Sequence, residues 1–375
     1  MSAGSSDHQF HFNKVALIGA GLIGGSIALA LREQKLVKEV NCYDLNHKAC
    51  REAVECGAAD YFSQTATEAV QDADLIIIAV PVLKTLQLIK EILPAVKKGT
   101  LITDVGSTKG AIMAAVEQLL PASVHYIGGH PMAGSEESGI CGADPALLEN
   151  AIYVLTPGPN TPKPLIDQLC QMISKIGAEP IIIDPLNHDR VVALVSHLPH
   201  LVAASLVQSV TDAGEKELID TLAAGGFRDS TRIALGNPEV WRDICISNRW
   251  ALLAALKGFR KNLDIVEKFL TEQDGDAIYE YLLRAREYRS SIPHRGRGIL
   301  PEIHELIVLV RDTPGAIGKL TGLIGDAEVN IDAIEIIHVR ELAGGSIRLG
   351  FRDRESRLKA LELLKKNGYP THIRD

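Results

Sequence analysis

A glycine-rich segment, GAGLIG at residues 19–24, has the spacing of a dinucleotide-binding turn. In that motif the first glycine permits a tight turn, the second lets the backbone approach a pyrophosphate, and the third lets a helix pack closely on the preceding strand. Asp44 follows the last glycine by 20 residues, where a carboxylate accepts hydrogen bonds from ribose hydroxyls and repels a 2′-phosphate. We therefore predict an NAD site formed by Gly19, Gly21, Leu22, Ile23, Gly24 and Asp44.

Two further segments are expected to reach the same crevice. Val80 and Pro81 end one apolar run, and Ser107 follows another. Because the carboxyl ends of parallel strands line the cofactor crevice in this type of fold, we predict that all three residues contact the cofactor. The structural alternatives are a plain strand terminator at Pro81 and an N-cap at Ser107 or Thr108 for a helix that starts at Gly110.

His130 follows two glycines and precedes a proline, on a constrained loop after a predicted strand. A neutral imidazole can take a proton from a hydroxyl while hydride leaves the same carbon. We therefore predict that His130 is a general base, and the structural alternative is a buried histidine without a catalytic role. Ser135 and Glu136 follow on the same loop, where Glu136 either orients a partner cation or is solvated.

The motif SHLPH at residues 196–200 places two histidines three positions apart on one face of a predicted helix. Pro199 removes one N–H and frees the carbonyl of Val195, and kinks of this kind often line pockets. His197 and His200 are also spaced as metal ligands. No third ligand follows at a convincing spacing, so we predict no metal site.

Charged side chains that suit an anionic substrate occur later in the chain. Arg228 and Arg232 follow the glycine pair 225–226 and lie four residues apart, so they project from one side of a short helix. Arginine forms fork-like hydrogen bonds with carboxylates, whereas the alternative is a pair of surface arginines. The segment HDR at 188–190 is interpreted as a charged helix start on a solvated face, and Trp241 as a core residue.

The elements that must position these groups fall into three parts. Apolar runs alternate with amphipathic stretches over the first 183 residues, which predicts an α/β Rossmann domain whose parallel sheet is covered on both faces. Beyond it the apolar spacing is helical, which predicts an all-helical domain whose long apolar helices favour a homodimer. The predicted division is an N-terminal arm at 1–12, a Rossmann domain at 13–184, a helical domain at 185–291, a linker at 292–303 and a small α+β domain at 304–375.

Composition excludes several classes of protein. The 375 residues carry a formal net charge of −8, which gives no general affinity for polyanions, and only 5% are aromatic, which disfavours base-stacking platforms. No apolar run approaches the roughly 18 residues of a membrane helix, and the polar start lacks the apolar core of a signal peptide. Six cysteines without a CxxC pair indicate a reduced compartment. We therefore expect a cytoplasmic protein that binds neither nucleic acid nor membranes.

The motifs GAGLIG, DVGSTKG, GGHPMAGSE, SHLPH, GGFRDSTRIA and NPEVWRD, in this order, resemble those of the prephenate dehydrogenase family over about residues 14–290. The resemblance implies a Rossmann domain joined to a helical domain that forms a dimer. It also implies NAD-dependent oxidation and decarboxylation of prephenate to 4-hydroxyphenylpyruvate in tyrosine biosynthesis.

The same resemblance assigns roles to individual residues. It implies that His130 is the partner of the substrate hydroxyl, that Ser107 orients His130 and the nicotinamide, and that Arg232 is the main carboxylate-binding residue. Substrate contacts are further implied for Ser135, Ser196, His200 and the backbone of Gly225, a gating network for Glu136, Asp189 and Trp241, and a supporting role for His197.

The C-terminal segment resembles an ACT domain over roughly residues 304–375, with an apolar strand at 306–310 and an Asp-x-Pro-Gly turn before a helix. Such domains have a ferredoxin-like βαββαβ arrangement and often pair to bind an amino acid, and a helix start suits a ligand carboxylate. The resemblance implies feedback inhibition by L-tyrosine, and the alternative is a dimerisation or vestigial module. The effector residues it implies are Asp312, Pro314, Gly315, Ala316, Asn330 and Ile331.

Three other functions are compatible with parts of the sequence. An arogenate dehydrogenase uses a substrate in which an amino group replaces the keto oxygen of the side chain. An idle amino-acid sensor could keep the same fold, although His130, Ser107 and Arg232 together disfavour it. A β-hydroxyacid dehydrogenase is expected to carry a catalytic lysine on the long helix after the first domain, where this chain has His197 and His200.

Overall fold

The computed structural model describes residues 12–134, 139–214, 216–292, 304–310, 313–337 and 345–374. Three predicted site residues, Ser135, Glu136 and Asp312, therefore lie outside the described residues. The chain divides into two compact units, residues 1–293 and 294–375. The predicted five-part division stays a prediction at this level of detail.

The first unit contains an eight-stranded sheet in the order β3-β2-β1-β4-β5-β6-β7-β8. Its strands are β1 Phe12–Ile18, β2 Val37–Tyr43, β3 Tyr61–Phe62, β4 Leu75–Ile78, β5 Leu101–Asp104, β6 His125–Pro131, β7 Ile152–Pro157 and β8 Glu179–Ile182. The helices between them are α1 Leu22–Glu33, α2 His47–Glu55, α3 Ala66–Ala69, α4 Val82–Ile92, α5 Gly110–Leu119 and α6 Lys163–Lys175. The alternation confirms the predicted α/β Rossmann class.

The continuous apolar strands follow from burial on both faces of this sheet. In β4, Leu75 and Ile77 pack into one apolar cluster, whereas Ile76 and Ile78 pack into a second cluster. Successive side chains of a strand point to opposite faces, so a strand covered by helices on both sides needs an apolar residue at every position. The β4 side chains are accordingly almost fully buried.

The sheet departs from the predicted all-parallel pattern at one pair. β6 and β7 are antiparallel, and the other pairs of this sheet are parallel. The described part of their connection forms only two short 3₁₀ turns, at 140–142 and 145–148. Because a parallel return needs a longer crossover, which is usually a helix, the chain returns antiparallel here.

Two predicted element boundaries are corrected. β4 ends at Ile78, and Pro81 is the N-cap position of α4, so the proline starts a helix and does not terminate the strand. The predicted side-chain cap of α5 by Ser107 or Thr108 is wrong, because the N-cap position is Lys109 and its own side chain makes no cap. A proline near a helix start costs no hydrogen bond, since the first N–H groups have no partner within the helix.

The rest of the first unit is helical, as predicted. Its helices are α7 Pro185–Val192, α8 Leu198–Asp212, α9 Lys216–Leu222, α10 Gly225–Thr231, α11 Pro238–Ser247, α12 Arg249–Thr271 and α13 Gly275–Ser291. A π-helical turn, Ala193–His197, joins α7 to α8. The kink predicted from Pro199 therefore takes the form of a widened turn, which absorbs the hydrogen bond that proline cannot make.

The helix that runs from Pro185 to Asp212 is, among the described residues, the one segment long and apolar enough to cross a membrane, with mean hydropathy 1.6 over a window that is 33% buried. The prediction that no apolar segment approaches this length is therefore wrong. The segment packs against α5 and α12 and buries His188, Asp189 and His197. These contacts are those of a helix that packs within the unit.

The second unit is a four-stranded antiparallel sheet in the order β10-β11-β9-β12. Its elements are β9 His304–Val310, α14 Ala316–Asp326, β10 Ala333–Ile337, β11 Gly345–Phe351, α15 Arg354–Lys366 and β12 Thr371–Arg374. This βαββαβ order confirms the predicted ferredoxin-like class. Leu306, Val308 and Leu320 belong to its apolar core.

Candidate active site

The three fingerprint glycines meet three different surroundings. Gly19 has a positive φ of 104°, and a Cβ there would lie 2.3 Å from the carbonyl oxygen of Ala79. A Cβ on Gly24 would lie 2.4 Å from the carbonyl oxygen of Gly19, whereas a Cβ on Gly21 would meet nothing within 4 Å. Packing therefore requires the first and third glycines, while the second borders open space where a pyrophosphate can approach.

The start of α1 and the end of β2 complete this cofactor turn. Among described residues no side chain caps α1, so the N–H groups of its first turn, which includes Leu22 and Ile23, suit an anion. Asp44 accepts hydrogen bonds from the backbone N–H of Ala20 (2.9 Å) and of Asn46 (2.7 Å). The half-buried Asp44 carboxylate is thereby fixed beside the glycine turn. These residues fit the diphosphate and ribose of NAD.

The predicted residues Val80, Pro81 and Ser107 follow the carboxyl ends of β4 and β5. Val80 and Ser107 are half-buried, and Pro81 is exposed at the start of α4. β4 lies directly between β1 and β5, so all three positions belong to the sheet edge that carries the glycine turn. This edge is the crevice in which open α/β sheets bind their ligands.

Asp104, at the end of β5, anchors both predicted catalytic segments. Its carboxylate accepts hydrogen bonds from the backbone N–H of Gly106 (2.9 Å) and from that of Gly129 (3.0 Å). Ser107 and His130 are each the next residue along the chain. One buried carboxylate thus fixes the backbone before both side chains, and a Cβ on Gly129 would lie 2.4 Å from the carbonyl oxygen of Asp104.

A buried ion pair joins Asp104 to Lys109. Both side chains are fully buried, and the Lys109 ammonium also hydrogen-bonds the carboxylate. Tyr126 donates its hydroxyl to the same carboxylate at 2.8 Å. Burial lowers the pKa of Lys109, and Asp104 opposes that shift. Two charges taken out of water require such partners, because an unpaired buried charge is costly.

His130 heads a chain of buried polar groups. Its Nδ1 lies 2.8 Å from Nε2 of His188, whose Nδ1 lies 2.9 Å from Oδ1 of Asp189. The exposed fractions are 8% for His130, 1% for His188 and 7% for Asp189. Burial lowers the pKa of His130 well below its usual 6.5, so the imidazole is neutral near pH 7. A neutral imidazole can act as a general base.

Asp189 also supplies the N-cap interaction that α5 lacks locally. Its two carboxylate oxygens accept the backbone N–H of Lys109 (2.7 Å) and of Gly110 (2.8 Å). A Cβ on Gly110 would lie 3.0 Å from the second of these oxygens, so glycine permits the approach. The carbonyl of Asp189 accepts the Asn248 amide at 2.8 Å. The interpretation of residues 188–190 as a solvated helix start is therefore wrong, since His188 and Asp189 join the helical part to the Rossmann part.

His200 and Trp241 form a second part of the site. Their rings stack with centroids 3.5 Å apart, and His197 meets the same indole edge-on at 6.0 Å. Nδ1 of His200 is buried without a hydrogen-bond partner among the described residues, and such an atom needs a partner from elsewhere. A Cβ on Gly236 would lie 2.5 Å from Nε1 of Trp241, so the glycine makes room for the stack. Trp241 is half-buried, in place of the predicted core position.

The remaining predicted substrate residues lie further along the helical part. Ser196 is half-buried in the π-helical turn, and Gly225 starts α10. Arg228 is exposed on α10, and Arg232 is exposed in the 3₁₀ turn 232–235 that follows. That turn packs against α8, which carries His200. The predicted arginines therefore lie on an accessible segment beside the stacked rings.

Sequence reasoning missed three residues of this arrangement. We call Asp104, Lys109, His130, His188 and Asp189 the His130 cluster. Asp104 and Lys109 were visible only as parts of the DVGSTKG motif, and His188 only as part of a polar helix start. Within the described ranges, no three His, Cys, Asp or Glu side chains are arranged to hold a metal ion.

In the second unit, the predicted effector residues surround the start of α14. Gly315 is in the left-handed region at φ 81°, and among the described side chains none caps α14. Pro314 is exposed and Ala316 is half-buried. Asn330 is exposed and donates its amide to Asp332 (3.1 Å), and Ile331 is half-buried just before β10.

Comparisons with known proteins agree with this architecture. Family models match residues 27–182 (prephenate dehydrogenase, nucleotide-binding domain), 184–284 (prephenate dehydrogenase, dimerization domain) and 304–368 (ACT domain). Prephenate dehydrogenase of Bacillus subtilis is 36% identical over 364 residues, which cover 96% of this chain and 98% of the relative. That of Lactococcus lactis is 37% identical over 362 residues, covering 94% and 98%.

Solved structures give the same result. The prephenate dehydrogenase of A. aeolicus in complex with hydroxyphenyl propionate and NAD+ has a TM-score of 0.71 at 29% identity, covering 76% of this chain and all of that one. Synechocystis arogenate dehydrogenase has a TM-score of 0.67 at 33% identity, covering 75% of this chain and all of that one. With near-complete coverage by relatives above 30% identity, the chain belongs to the prephenate dehydrogenase family, as an NAD-dependent enzyme with a Rossmann domain, a helical domain and a C-terminal ACT domain.

Proposed function

We propose that this chain oxidises and decarboxylates prephenate to 4-hydroxyphenylpyruvate in tyrosine biosynthesis, with hydride transfer to NAD. The observation that carries the proposal is His130, a buried histidine near the carboxyl end of β6 whose pKa is lowered by burial. A base that is neutral near pH 7 lies at the sheet edge that also carries the glycine turn. The prephenate dehydrogenases among its relatives support the substrate.

The geometry supports the following proton movements. His130 takes the proton of the ring hydroxyl while hydride leaves the same carbon. When bound, NAD accepts that hydride. Loss of the ring carboxylate as CO₂ leaves its electron pair in the ring, which becomes aromatic, and the phenolate oxygen regains the proton from His130. Aromatisation and loss of CO₂ make the overall step essentially irreversible.

Substrate binding in this proposal uses the helical part. Arg232 binds a substrate carboxylate, since its exposed guanidinium lies in a turn that packs on α8. The unpartnered Nδ1 of His200 supports a substrate contact there. Ser107 orients His130 and the nicotinamide, and Asp189, Trp241 and Glu136 gate the site. Further substrate contacts are proposed for Ser135, Ser196 and Gly225, with His197 in support.

The decisive experiment is an NADH absorbance assay on the full-length chain with prephenate or arogenate, each with NAD or NADP. We expect reduction of NAD with prephenate and a clear preference over NADP, because the Asp44 carboxylate repels a 2′-phosphate. Arogenate is the second candidate substrate, favoured by the likeness to Synechocystis arogenate dehydrogenase. Absence of reduction with either substrate would contradict the enzymatic proposal and favour an amino-acid sensor.

We further propose that L-tyrosine inhibits the enzyme through the ACT domain. The start of α14, with Pro314, Gly315 and Ala316, suits a ligand carboxylate, and Asn330 and Ile331 supply neighbouring groups. Tyrosine should lower the rate and raise the melting temperature Tm, because a ligand stabilises the state that it binds. If tyrosine changed neither quantity, the module would have a different role.

The helical domain is proposed to form a homodimer in the cytoplasm. In one chain Trp250, Leu253, Leu263 and Leu270 are each more than half exposed, and apolar side chains of this size on neighbouring turns commonly lie in an interface. Sedimentation equilibrium at micromolar concentration should give the mass of two chains. A single-chain mass would contradict the dimer, and cell fractionation tests the location.

A further inference from the structure

The hydrogen bonds of the His130 cluster specify where each proton lies. Both oxygens of Asp189 accept backbone N–H groups at the start of α5, at 2.7 and 2.8 Å. A helix start favours the charged carboxylate, which can only accept hydrogen bonds. Nδ1 of His188, 2.9 Å from Oδ1 of Asp189, must therefore carry a proton.

The charge state of His188 decides the tautomer of its neighbour. His188 is 1% exposed, and the Asp189 charge is already shared with the helix start, so a neutral ring is favoured. Nε2 of a neutral His188 with a proton on Nδ1 can only accept. The 2.8 Å contact with Nδ1 of His130 then requires that His130 carries its proton on Nδ1.

We propose that His188, held by Asp189, is a positioning residue that fixes His130 as the Nδ1–H tautomer and leaves Nε2 as the proton acceptor. This inference rests on the proposed function, because it gives that reaction its base. A protonated His188 would place the proton of His130 on Nε2, where it blocks proton transfer from the substrate. The arrangement resembles the logic of a base oriented by a third group.

The same contacts couple the base to the packing of the two parts of the first unit. Asp189 belongs to α7, whereas the N–H groups that it accepts belong to the Rossmann part. Ser107 lies just before these N–H groups in the loop from β5. The base and the serine loop are therefore oriented together when α7 packs against α5.

Two substitutions separate the contacts of His188. Asn at 188 places an amide near the position of Nδ1, so it keeps a donor for Asp189 but loses the contact with His130. Gln reaches the position of Nε2 and keeps an acceptor for His130. His125→Asn, a half-buried histidine at the opposite end of β6, is the matched control, with wild-type activity and tautomer expected.

The test combines kinetics with nitrogen-15 resonances of labelled histidine in the full-length, substrate-free protein, with the His130 signals assigned from His130→Asn. We expect wild-type His130 to carry its proton on Nδ1. His188→Asn should shift it toward the Nε2–H form and lower kcat about a hundredfold, with KM changed less than about threefold. His188→Gln should recover about tenfold of that loss.

Two results would overturn the inference: a wild-type His130 with its proton on Nε2, or a His188→Asn variant with unchanged tautomer and kcat within about threefold of wild type. The wild-type spectrum decides the tautomer even if His188→Asn fails to fold. A wild-type chain that does not reduce NAD with prephenate would instead overturn the proposed function, while the resonances still report the tautomer.

Discussion

The cofactor turn and the His130 cluster lie at the same sheet edge but are built differently. The turn comes from one βαβ unit, and Asp44 reaches Ala20 across 24 residues. The cluster draws on β5, β6 and α7, and its contacts span 58 residues from His130 to His188 and 80 from Lys109 to Asp189. The first region depends on backbone shape, and the second on buried charges that need partners.

This difference determines how each region tolerates change. A glycine turn borders open space and water, so altering one polar group there changes ligand binding more than stability. In the cluster every charge is buried, and removing one partner leaves the other unsatisfied in a low dielectric. We expect substitutions in the cluster to have large effects on catalysis or folding, and substitutions around the turn to have small and selective ones.

The largest effect is expected for His130→Asn. Asparagine can hydrogen-bond a hydroxyl but cannot take its proton, so kcat should fall by about 10³- to 10⁴-fold while KM for prephenate changes little. Steady-state NADH formation measures both quantities. Near-normal turnover of this variant would remove His130 from the base role and the cluster from catalysis.

Lys109→Met tests the cluster through stability. It leaves the buried Asp104 carboxylate without its cation, which should lower the free energy of unfolding by about 3–5 kcal/mol. Lys48→Met is the matched control, since its i,i+4 pair with Glu52 is exposed and should contribute no more than about 0.5 kcal/mol. Urea denaturation compares the two, and equal effects would show that burial of the Lys109 pair is unimportant.

Arg232→Ala tests the accessible segment beside the cluster. Loss of charge-assisted hydrogen bonds to a carboxylate should raise KM for prephenate about tenfold to a hundredfold, with little change in kcat. Arg190→Ala is the control, because the exposed Arg190 side chain bonds Asn187 within α7. If Arg232→Ala left KM unchanged, another cation would have to bind the substrate carboxylate.

Asp44→Asn tests the cofactor turn. An amide oxygen can still accept the Ala20 N–H, so the turn is kept, but one partner of the ribose hydroxyls loses its charge. KM for NAD should rise about tenfold, and the preference over NADP should shrink. The ratio of kcat/KM for the two cofactors measures this, and an unchanged ratio would show that selectivity lies elsewhere.

The smallest effect concerns pH. Burial lowers the pKa of His197 to about 4, so the folded chain keeps this ring neutral where the unfolded chain is protonated. Stability should therefore decrease as pH falls below the unfolded value of about 6.5. Between about pH 7 and pH 5 we expect Tm to fall by about 2–4 °C, the shift given by roughly 1 kcal/mol in a chain of this size. A constant Tm over this range would contradict the buried, neutral state.

The sequence predicted more of the cofactor turn than of the cluster. The glycine spacing, Asp44 and the alternation of strands and helices follow from short-range patterns. The edges of elements were less certain, as the short β4 and the start of α4 at Pro81 show. His130 was found because glycines and a proline surround it, whereas His188 carries no such local signal.

The sequence alone determined the fold class, the glycine turn and the candidate base, because backbone conformation and hydrophobic periodicity are local properties. Only the tertiary structure decided that Lys109, His188 and Asp189 are buried and that Asp189 caps α5 in place of Ser107 or Thr108. Whether a charged residue faces water or a partner depends on which distant segment packs against it, and that is not encoded in its neighbours along the chain.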